Sequence, residues 1–343
     1  MDIAMTNDQV LVTGGTGFLG THVIAQLLRS GYQVRTTVRT LEREGELRGA
    51  LARAGVDGDI DLVLVLADLS EDAGWSDAVA GTRYVLHVAS PFPPAMPDSD
   101  DDVIRPAREG ALRVLRASRD AGVERVVMTS SFAAVGYGHP PTDEEFDERT
   151  WTNVEAPLSA YIRSKAVAER AAWDFMNAEG GELELAVVNP VGIFGPPLTV
   201  DLSASVGLAH QMITAMPAVS RLATTVVDVR DAADLHLRAM TNPAAAGERF
   251  LASTGEPLAF QDVAAVLRAA VGHEPVQLPI LPDEVVTEAA KTDPGMAGMA
   301  GELGKVRRVS SNKARTILGW EPRSNTEALQ ATAHALKDLG AVK

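Results

Sequence analysis

The chain of 343 residues contains no cysteine, which removes disulfides, a thiol nucleophile and any thiolate metal site from consideration. Positive charge is also scarce. Lys and Arg number 31 against 46 Asp and Glu, a formal charge of −15, and such a surface repels nucleic acid and anionic membrane. No nucleic-acid or membrane partner is therefore expected, and any anionic ligand has to be held by local positive groups. No apolar run approaches the ~18 residues that a membrane-spanning helix requires. The opening stretch, Met1 to Gln9, carries Asp2 and Asp8 where a secretory signal would carry basic residues. We read a cytoplasmic protein, with a monomer or homodimer as the expected assembly. Repeats and low-complexity tracts are absent as well, and a length prior of ~150 residues per domain suggests two lobes.

What is present begins at Val10, where an apolar strand runs into glycines spaced Gly14-x-x-Gly17-x-x-Gly20 and then into a helix, Leu19 to Arg29. Gly14 and Gly17 let the backbone turn tightly beside a pyrophosphate, and Gly20 lets the helix pack closely on the strand. The free N–H groups of the helix start face the phosphates. Thr16, Phe18 and Leu19 fall in the same turn. The next strand, Gln33 to Val38, completes one βαβ unit. About 20 residues past the glycines an NAD site would place a carboxylate for the ribose 2′-hydroxyl. Here that place holds Arg39, with Arg43 four residues on. Guanidinium groups match a 2′-phosphate, so NADP(H) is expected over NAD(H); the alternative for either arginine is a solvated charge at a helix start.

A third strand, Asp61 to Leu66, delivers Asp68 and Leu69 to the edge where open parallel sheets bind ligands, and Asp68 could accept the adenine amino group. A fourth, Tyr84 to Val88, leads to Ala89 and Ser90, small enough for a close approach to the cofactor riboses. His87 lies inside that apolar strand and reads as a core histidine rather than a catalytic one. A helix from Val103 to Ala121 precedes the fifth strand, Arg125 to Met128, which presents Thr129, Ser130 and Ser131. A helix from about Ser159 to Asn177 carries Tyr161 and Lys165, four apart and so on one face. A nearby ammonium stabilises phenolate and so makes a phenol a better proton donor at neutral pH. The sixth strand, Glu184 to Asn189, breaks at Pro190 and Val191, where the chain leaves the sheet.

Later segments read as a helix from Ser203 to Ala215, a strand from Thr225 to Asp228, a helix from Asp231 to Met240 and a strand from Arg249 to Ala252. Short helices from Asn312 to Leu318 and Glu327 to Leu339 follow. Residues 283–305, rich in Gly and Met, read as a mobile lid or a plain surface connection. The fold class expected is α/β, a Rossmann-type doubly wound parallel sheet with a smaller C-terminal substrate lobe. Residues 1–190 and 222–254 are assigned to the dinucleotide-binding domain, and 191–221 and 255–343 to the substrate lobe. Phe92, Phe132 and Phe194, with Val191, are expected to line a mostly apolar pocket; the alternative is that these aromatics seal the core between the lobes.

Taken together, the glycine turn, Ala67 to Leu69, Val85 to Phe92, Thr129 to Ser131, the Tyr161-x-x-x-Lys165 pair and Asn189-Pro190 resemble the extended short-chain dehydrogenases over nearly the whole chain. Val38-Arg39 and the His87 to Pro91 segment are similar to dihydroflavonol reductases, cinnamoyl-CoA reductases and related microbial aldehyde or ketone reductases. The resemblance implies Ser131, Tyr161 and Lys165 as the catalytic set, and cofactor contacts at Gly14, Thr16, Gly17, Phe18, Leu19, Gly20, Arg39, Arg43, Asp68, Leu69, Val88, Ala89, Ser90, Thr129, Lys165, Pro190 and Val191. Two departures stand out. Where many relatives place an asparagine of a proton-relay water site this chain has Pro106-Ala107, and Gly136 stands where plant flavonoid reductases carry a substrate-binding asparagine. Reduction of a hydrophobic aldehyde or ketone with NADPH is the activity implied. Its rivals are an NAD-dependent nucleotide-sugar epimerase or dehydratase, and a non-catalytic dinucleotide sensor.

Overall fold

The computed structural model describes residues 8–58, 60–91, 99–274, 277–292 and 294–343. Its centre is a seven-stranded, wholly parallel sheet built from β1 (Gln9–Thr13), β2 (Gln33–Val38), β3 (Leu62–Leu66), β4 (Tyr84–His87), β5 (Arg125–Thr129), β6 (Glu184–Pro190) and the later Arg249–Ala252. From one edge to the other the order is Arg249–Ala252, β6, β5, β4, β1, β2, β3. The connections therefore reverse direction between β1 and β4, and the crevice above that point is where such sheets bind ligands. Val12 pairs with Thr36 on one side and Leu86 on the other, so the glycine turn after Thr13 opens into that crevice.

Strand residues alternate between two cores because successive side chains point to opposite faces. Val10, Val12, Leu86, Val127 and Val188 face one layer, formed by α1 (Phe18–Arg29), α2 (Glu44–Arg53) and the later Val229–Thr241 helix. Leu11, Val85, Val126, Met128 and Val187 face the other, formed by α3 (Trp75–Val79), α4 (Asp101–Asp120) and α5 (Ala160–Glu179). With both faces covered, the strands read as near-continuous Val/Leu runs rather than as an alternation of apolar and polar.

After β6 the chain forms β7 (Gly192–Phe194) and α6 (Ala204–Thr214), then β8 (Ala223–Thr224), β9 (Val226–Asp228) and α7 (Val229–Thr241). The Arg249–Ala252 strand is β10, and β11 (Leu258–Ala259) leads into α8 (Phe260–Ala270). The strand expected from Thr225 exists as β9, but it pairs in parallel with β7 in a two-stranded ribbon and does not join the main sheet. A third core, with Phe194, Met212, Ile213, Leu267, Leu329 and Leu336, holds β7, β9, α6, α8 and the last helix, α12 (Asn325–Asp338), together. A Leu→Ala change in such a core costs about 2–5 kcal/mol.

Residues 283–305 contain two short helices, α9 (Asp283–Ala289) and α10 (Pro294–Ala300), rather than unstructured chain. Val286 is fully buried, Arg221 is paired with Asp283, and Gly304 donates its N–H to the Arg221 carbonyl. Helix α11 (Asn312–Leu318) has the expected bounds. It packs against α7 and β10, on the sheet side of the molecule, where Trp320 is fully buried and its indole N–H donates to the Asp231 carbonyl at 2.9 Å.

Candidate active site

The glycine turn is built by contacts that exclude a side chain. Gly14 has φ +70°, and a Cβ there would lie 2.9 Å from the Ala89 Cβ. A Cβ on Gly20 would lie 2.3 Å from the Gly14 carbonyl oxygen, so both positions need glycine for space and Gly14 also for its backbone. Gly17 caps α1 with no side-chain cap bond, which leaves the first N–H groups of a 12-residue helix directed to the crevice. These features form a cradle that fits an anionic diphosphate. Thr13 ties the turn to β4: its hydroxyl accepts from the Ala89 N–H at 3.0 Å and lies 2.9 Å from His87 Nδ1. Burial holds His87 to a pKa of about 4, and it is a neutral core histidine as its apolar setting predicts.

Arg39 and Arg43 differ. Arg39 is exposed at the end of β2, and none of the described carboxylates pairs with it at contact distance. Its charge is nevertheless felt by Asp68, whose carboxyl sits below its usual range because Ser70 donates to it from both backbone and side chain. Arg43 is occupied: Glu46 takes its Nε and Nη2 at 2.8 and 2.7 Å, and Asp201, from the segment after β7, takes Nη2 at 3.2 Å. The Arg43–Asp201 pair thus bridges the two walls of the crevice. Thr16, Gly17 and Phe18 meet Pro197, Leu198 and Asp201 across a small gap at the same place. Leu69 lies against α4, where Gly110 leaves room for its side chain, while Val88 packs on the first core.

The ends of β4 and β5 and the first turns of α5 bring the chemical groups together. Ser159 caps α5 by accepting from the Ile162 N–H, which fixes the start of the helix two residues before Tyr161. The Ser131 and Tyr161 side chains are hydrogen-bonded to each other, and Ser131 Oγ also accepts from the Ala133 N–H at 3.1 Å. Lys165 Nζ lies 5.6 Å from the centroid of the Tyr161 ring and donates to Ser90 Oγ at 2.7 Å. Burial pushes the Lys165 ammonium down to about 8. Loss of hydration pushes the Tyr161 phenol above its ordinary value, and the bond from Ser131 opposes that; 42 % of the residue stays exposed. Behind Lys165 lies a cavity of about 20 Å³ whose lining includes His87, Ala107, Ser130 and Glu169. That is room for a single water, which needs roughly 10–15 Å³.

Ser130, the neighbour of Ser131, is turned away from the groove and donates to Glu169 Oε2 at 2.5 Å. Thr129 is half-buried and borders the same small cavity as Ser90 and Lys165. His236 Nδ1 donates to the Ala232 carbonyl, so its Nε2 accepts the Thr129 hydroxyl at 2.7 Å. Pro190 is buried at the end of β6, and the Val191 N–H donates to the Ala252 carbonyl at 3.2 Å.

Of the expected pocket aromatics, Phe92 lies outside the described residues. Phe132 is buried with Val135, Phe146, Leu251 and Val309, and Phe194 is buried in the third core. Both rings therefore seal the interior, the alternative weighed for them, instead of presenting an open apolar wall. Packing explains Gly136 as well, since a Cβ there would fall 2.1 Å from the Phe132 ring. Polar groups unforeseen in the sequence lie next to this cluster: Arg307 stands 4.2 Å over the Tyr137 ring, donates to the Gly136 carbonyl at 2.7 Å and pairs with Glu302. Glu169, Asn189 and Arg249 were likewise missed as members of the site's support. Glu169 had a spacing signal, one turn after Lys165, and Asn189 a motif signal in Asn189-Pro190. Among the described residues there is no cluster that could hold a metal ion, and no helix is long and apolar enough to cross a membrane.

Known proteins resemble this chain along most of its length. Over 332 residues, 91% of this chain and 93% of the other, it is 30% identical to a putative NADPH-dependent methylglyoxal reductase of Candida albicans. It is 34% identical over 265 residues to a ketoreductase of Aspergillus niger, covering 72% of this chain and 78% of that one. The crystal structure of a yeast methylglyoxal/isovaleraldehyde reductase complexed with NADPH superposes with a TM-score of 0.78 at 28% identity, covering 97% of this chain and 100% of that one. The glycine turn, the β5 serines, Tyr161 and Lys165 all fall within residues 10–252, the span matched by the model of the NAD dependent epimerase/dehydratase family, and the chain belongs to that family.

Proposed function

We propose that the protein reduces a small aldehyde or ketone to the alcohol with NADPH. The observation that carries this reading is the meeting of Ser131, Tyr161 and Lys165 at the C-terminal edge of the sheet, beside a glycine cradle shaped for a dinucleotide. The cradle at Gly14, Gly17 and Gly20 holds the diphosphate, Arg39 receives the 2′-phosphate, and Ala89, Ser90 and Lys165 border the ribose beside the nicotinamide. NADPH, when bound, supplies the hydride. Ser131 hydrogen-bonds the substrate carbonyl oxygen and so favours the charge that develops on it. Tyr161 gives its phenolic proton to that oxygen, so the carbonyl gains one hydride and one proton and becomes the alcohol. The Lys165 ammonium stabilises the phenolate left behind, which regains its proton from solvent.

A neutral, hydrophobic carbonyl compound suits the surroundings better than a sugar nucleotide. Arg307, the cation beside the Phe132 and Tyr137 rings, is already committed to Glu302 and the Gly136 carbonyl. The position after β2 holds Arg39 instead of the carboxylate that an NAD-dependent epimerase would use on the ribose. Similarity to reductases of methylglyoxal, isovaleraldehyde and ketones supports the same class. The test is NADPH oxidation, followed by absorbance across a panel of aryl and alkyl aldehydes and ketones, for the wild type and Tyr161→Phe. Turnover that Tyr161→Phe abolishes while still binding NADPH is the expected result. Epimerisation of a nucleotide sugar with no reduction of any carbonyl in the panel would overturn the reading.

A further inference from the structure

Glu169 is wholly buried on α5, one turn after Lys165, and three of its four hydrogen-bond partners lie on other elements. Its Oε2 accepts from Ser130 Oγ at the end of β5, at 2.5 Å, and from Asn189 Nδ2 on β6, at 2.6 Å. Its Oε1 accepts from Arg249 Nε on β10, at 2.6 Å, and from Trp173 Nε1 on α5 itself, at 3.3 Å. Asn189 Nδ2 also donates to the Ser131 carbonyl at 3.2 Å. One carboxylate therefore connects the helix bearing Tyr161 and Lys165 to the backbone of Ser131. Arg249 is itself fixed from behind: its guanidinium lies 3.7 Å over the Trp151 ring, and Nη1 donates to the Glu148 and Thr150 carbonyls at 2.8 and 3.0 Å.

Stability alone gives little reason for this network. Desolvating two charges offsets most of their attraction, and apolar residues of similar volume often serve a core as well or better. A set of short directional bonds does what apolar packing does not: it fixes the distance and angle between a strand end and a helix that could otherwise slide past each other.

Resting on the catalytic reading above, we propose that Glu169, braced by Arg249, is the positioning residue that sets Ser131 in register with Tyr161 and Lys165. Glu169 touches neither substrate nor cofactor in this assignment; it acts through Ser130, Asn189 and the α5 backbone. Loosening it leaves every catalytic group present but misplaced, and a misplacement of about 1 Å can remove about 10²-fold in rate.

The test uses Glu169→Gln and the double variant Glu169→Met/Arg249→Met, with Tyr161→Phe as reference. For each, thermal midpoint, NADPH affinity, kcat on the best carbonyl of the panel and the isotope effect with NADPH deuterated at the transferred position are measured. The double variant leaves no unpaired buried charge but strands the donors of Ser130, Asn189 and Trp173, so its midpoint is expected to fall while the folded molecules keep an NADPH affinity close to wild type. Its kcat should fall about 10- to 100-fold, with a larger isotope effect because hydride transfer becomes slower than release. A merely structural pair would lower the midpoint and leave kcat and isotope effect per folded molecule unchanged. Wild-type kcat and isotope effect in the double variant, or its failure to fold, would overturn the proposal, the latter by showing that the pair is needed for the fold itself. An inactive Tyr161→Phe beside a fully active double variant refutes the positioning role alone, whereas an active Tyr161→Phe refutes the catalytic reading beneath it.

Discussion

Lys165 Nζ donates to Ser90 Oγ at 2.7 Å, a bond that joins α5 to the segment leaving β4 directly beside the switch point of the sheet. It fixes the ammonium between the two sides of the crevice, in a setting where burial lowers its pKa to about 8.

That value predicts a pH profile. If the cation is what stabilises the phenolate of Tyr161, kcat/KM for carbonyl reduction should hold from neutral pH and fall as pH rises through about 8, where free Lys165 loses its proton. Tyr161 is not the source of such a limb, because its own pKa lies above the ordinary phenol value and it stays protonated there. Lys165→Arg, slower for want of fit but charged throughout, should lose the limb. A wild-type profile flat to pH 10 would refute the assignment.

The two arginines after β2 should behave unequally toward the cofactor. Arg39 is exposed and uncommitted to a contact ion pair among the described residues, whereas Arg43 must leave Glu46 and Asp201 before it can reach a 2′-phosphate. Arg39→Ala is expected to weaken NADPH binding about 10- to 150-fold, the loss of roughly 1.5–3 kcal/mol of charge-assisted bonding, with little effect on NADH. Arg43→Ala should cost less. Titrating both cofactors by fluorescence decides the matter, and equal wild-type affinity for NADPH and NADH would sink the idea.

Much of this was legible because the signals are local. The glycine spacing, the Val/Leu strands and the four-residue step from Tyr161 to Lys165 each reflect a backbone requirement that short sequence expresses. Helix α2 was weighed only as a helix start near Arg43 and α8 escaped notice, although Leu47 and Leu51, and Val263 and Leu267, stand four apart: Gly45 and Gly49 weaken the helical pattern of α2, and the flanks of α8 resemble a loop. Residues brought together from distant parts of the chain were harder still. Nothing in the run around Arg249 announces a partner 80 residues earlier, and nothing near Arg43 points to Asp201. The aromatics misled for a related reason. Phe132 and Phe194 follow motif residues in sequence, but both rings are buried in the interior, where the gain in buried apolar area is larger.

Three histidines make an acid-stability prediction. His22, His87 and His236 are all buried, and loss of hydration lowers each to about 4 from an ordinary 6.5. Above pH 6.5 the rings are neutral in folded and unfolded chains alike, and they leave stability independent of pH. As pH falls below 6.5 the unfolded chain binds protons that the folded chain refuses until about pH 4, so stability must decline across that window. A gap of this size is worth up to roughly 3 kcal/mol per histidine. Carboxylates with lowered pKa, such as Asp68, Asp147 and Glu46, work in the same direction but only below their ordinary values near 4, while Glu148 and Asp231, raised by burial, oppose the decline, so the loss in the upper part of the window comes from the histidines. Urea unfolding at pH 7, 6 and 5 should show the decline. His22→Gln offers a gentle probe, because the amide can still donate to the Pro196 carbonyl that His22 Nε2 meets at 2.9 Å, yet does not titrate. Its loss of stability between pH 7 and 5 should be smaller than that of the wild type by about a third, the share of one ring in three. Equal unfolding free energies at pH 7 and pH 5 in the wild type would show that the three rings take up protons in the folded chain as readily as in the unfolded one.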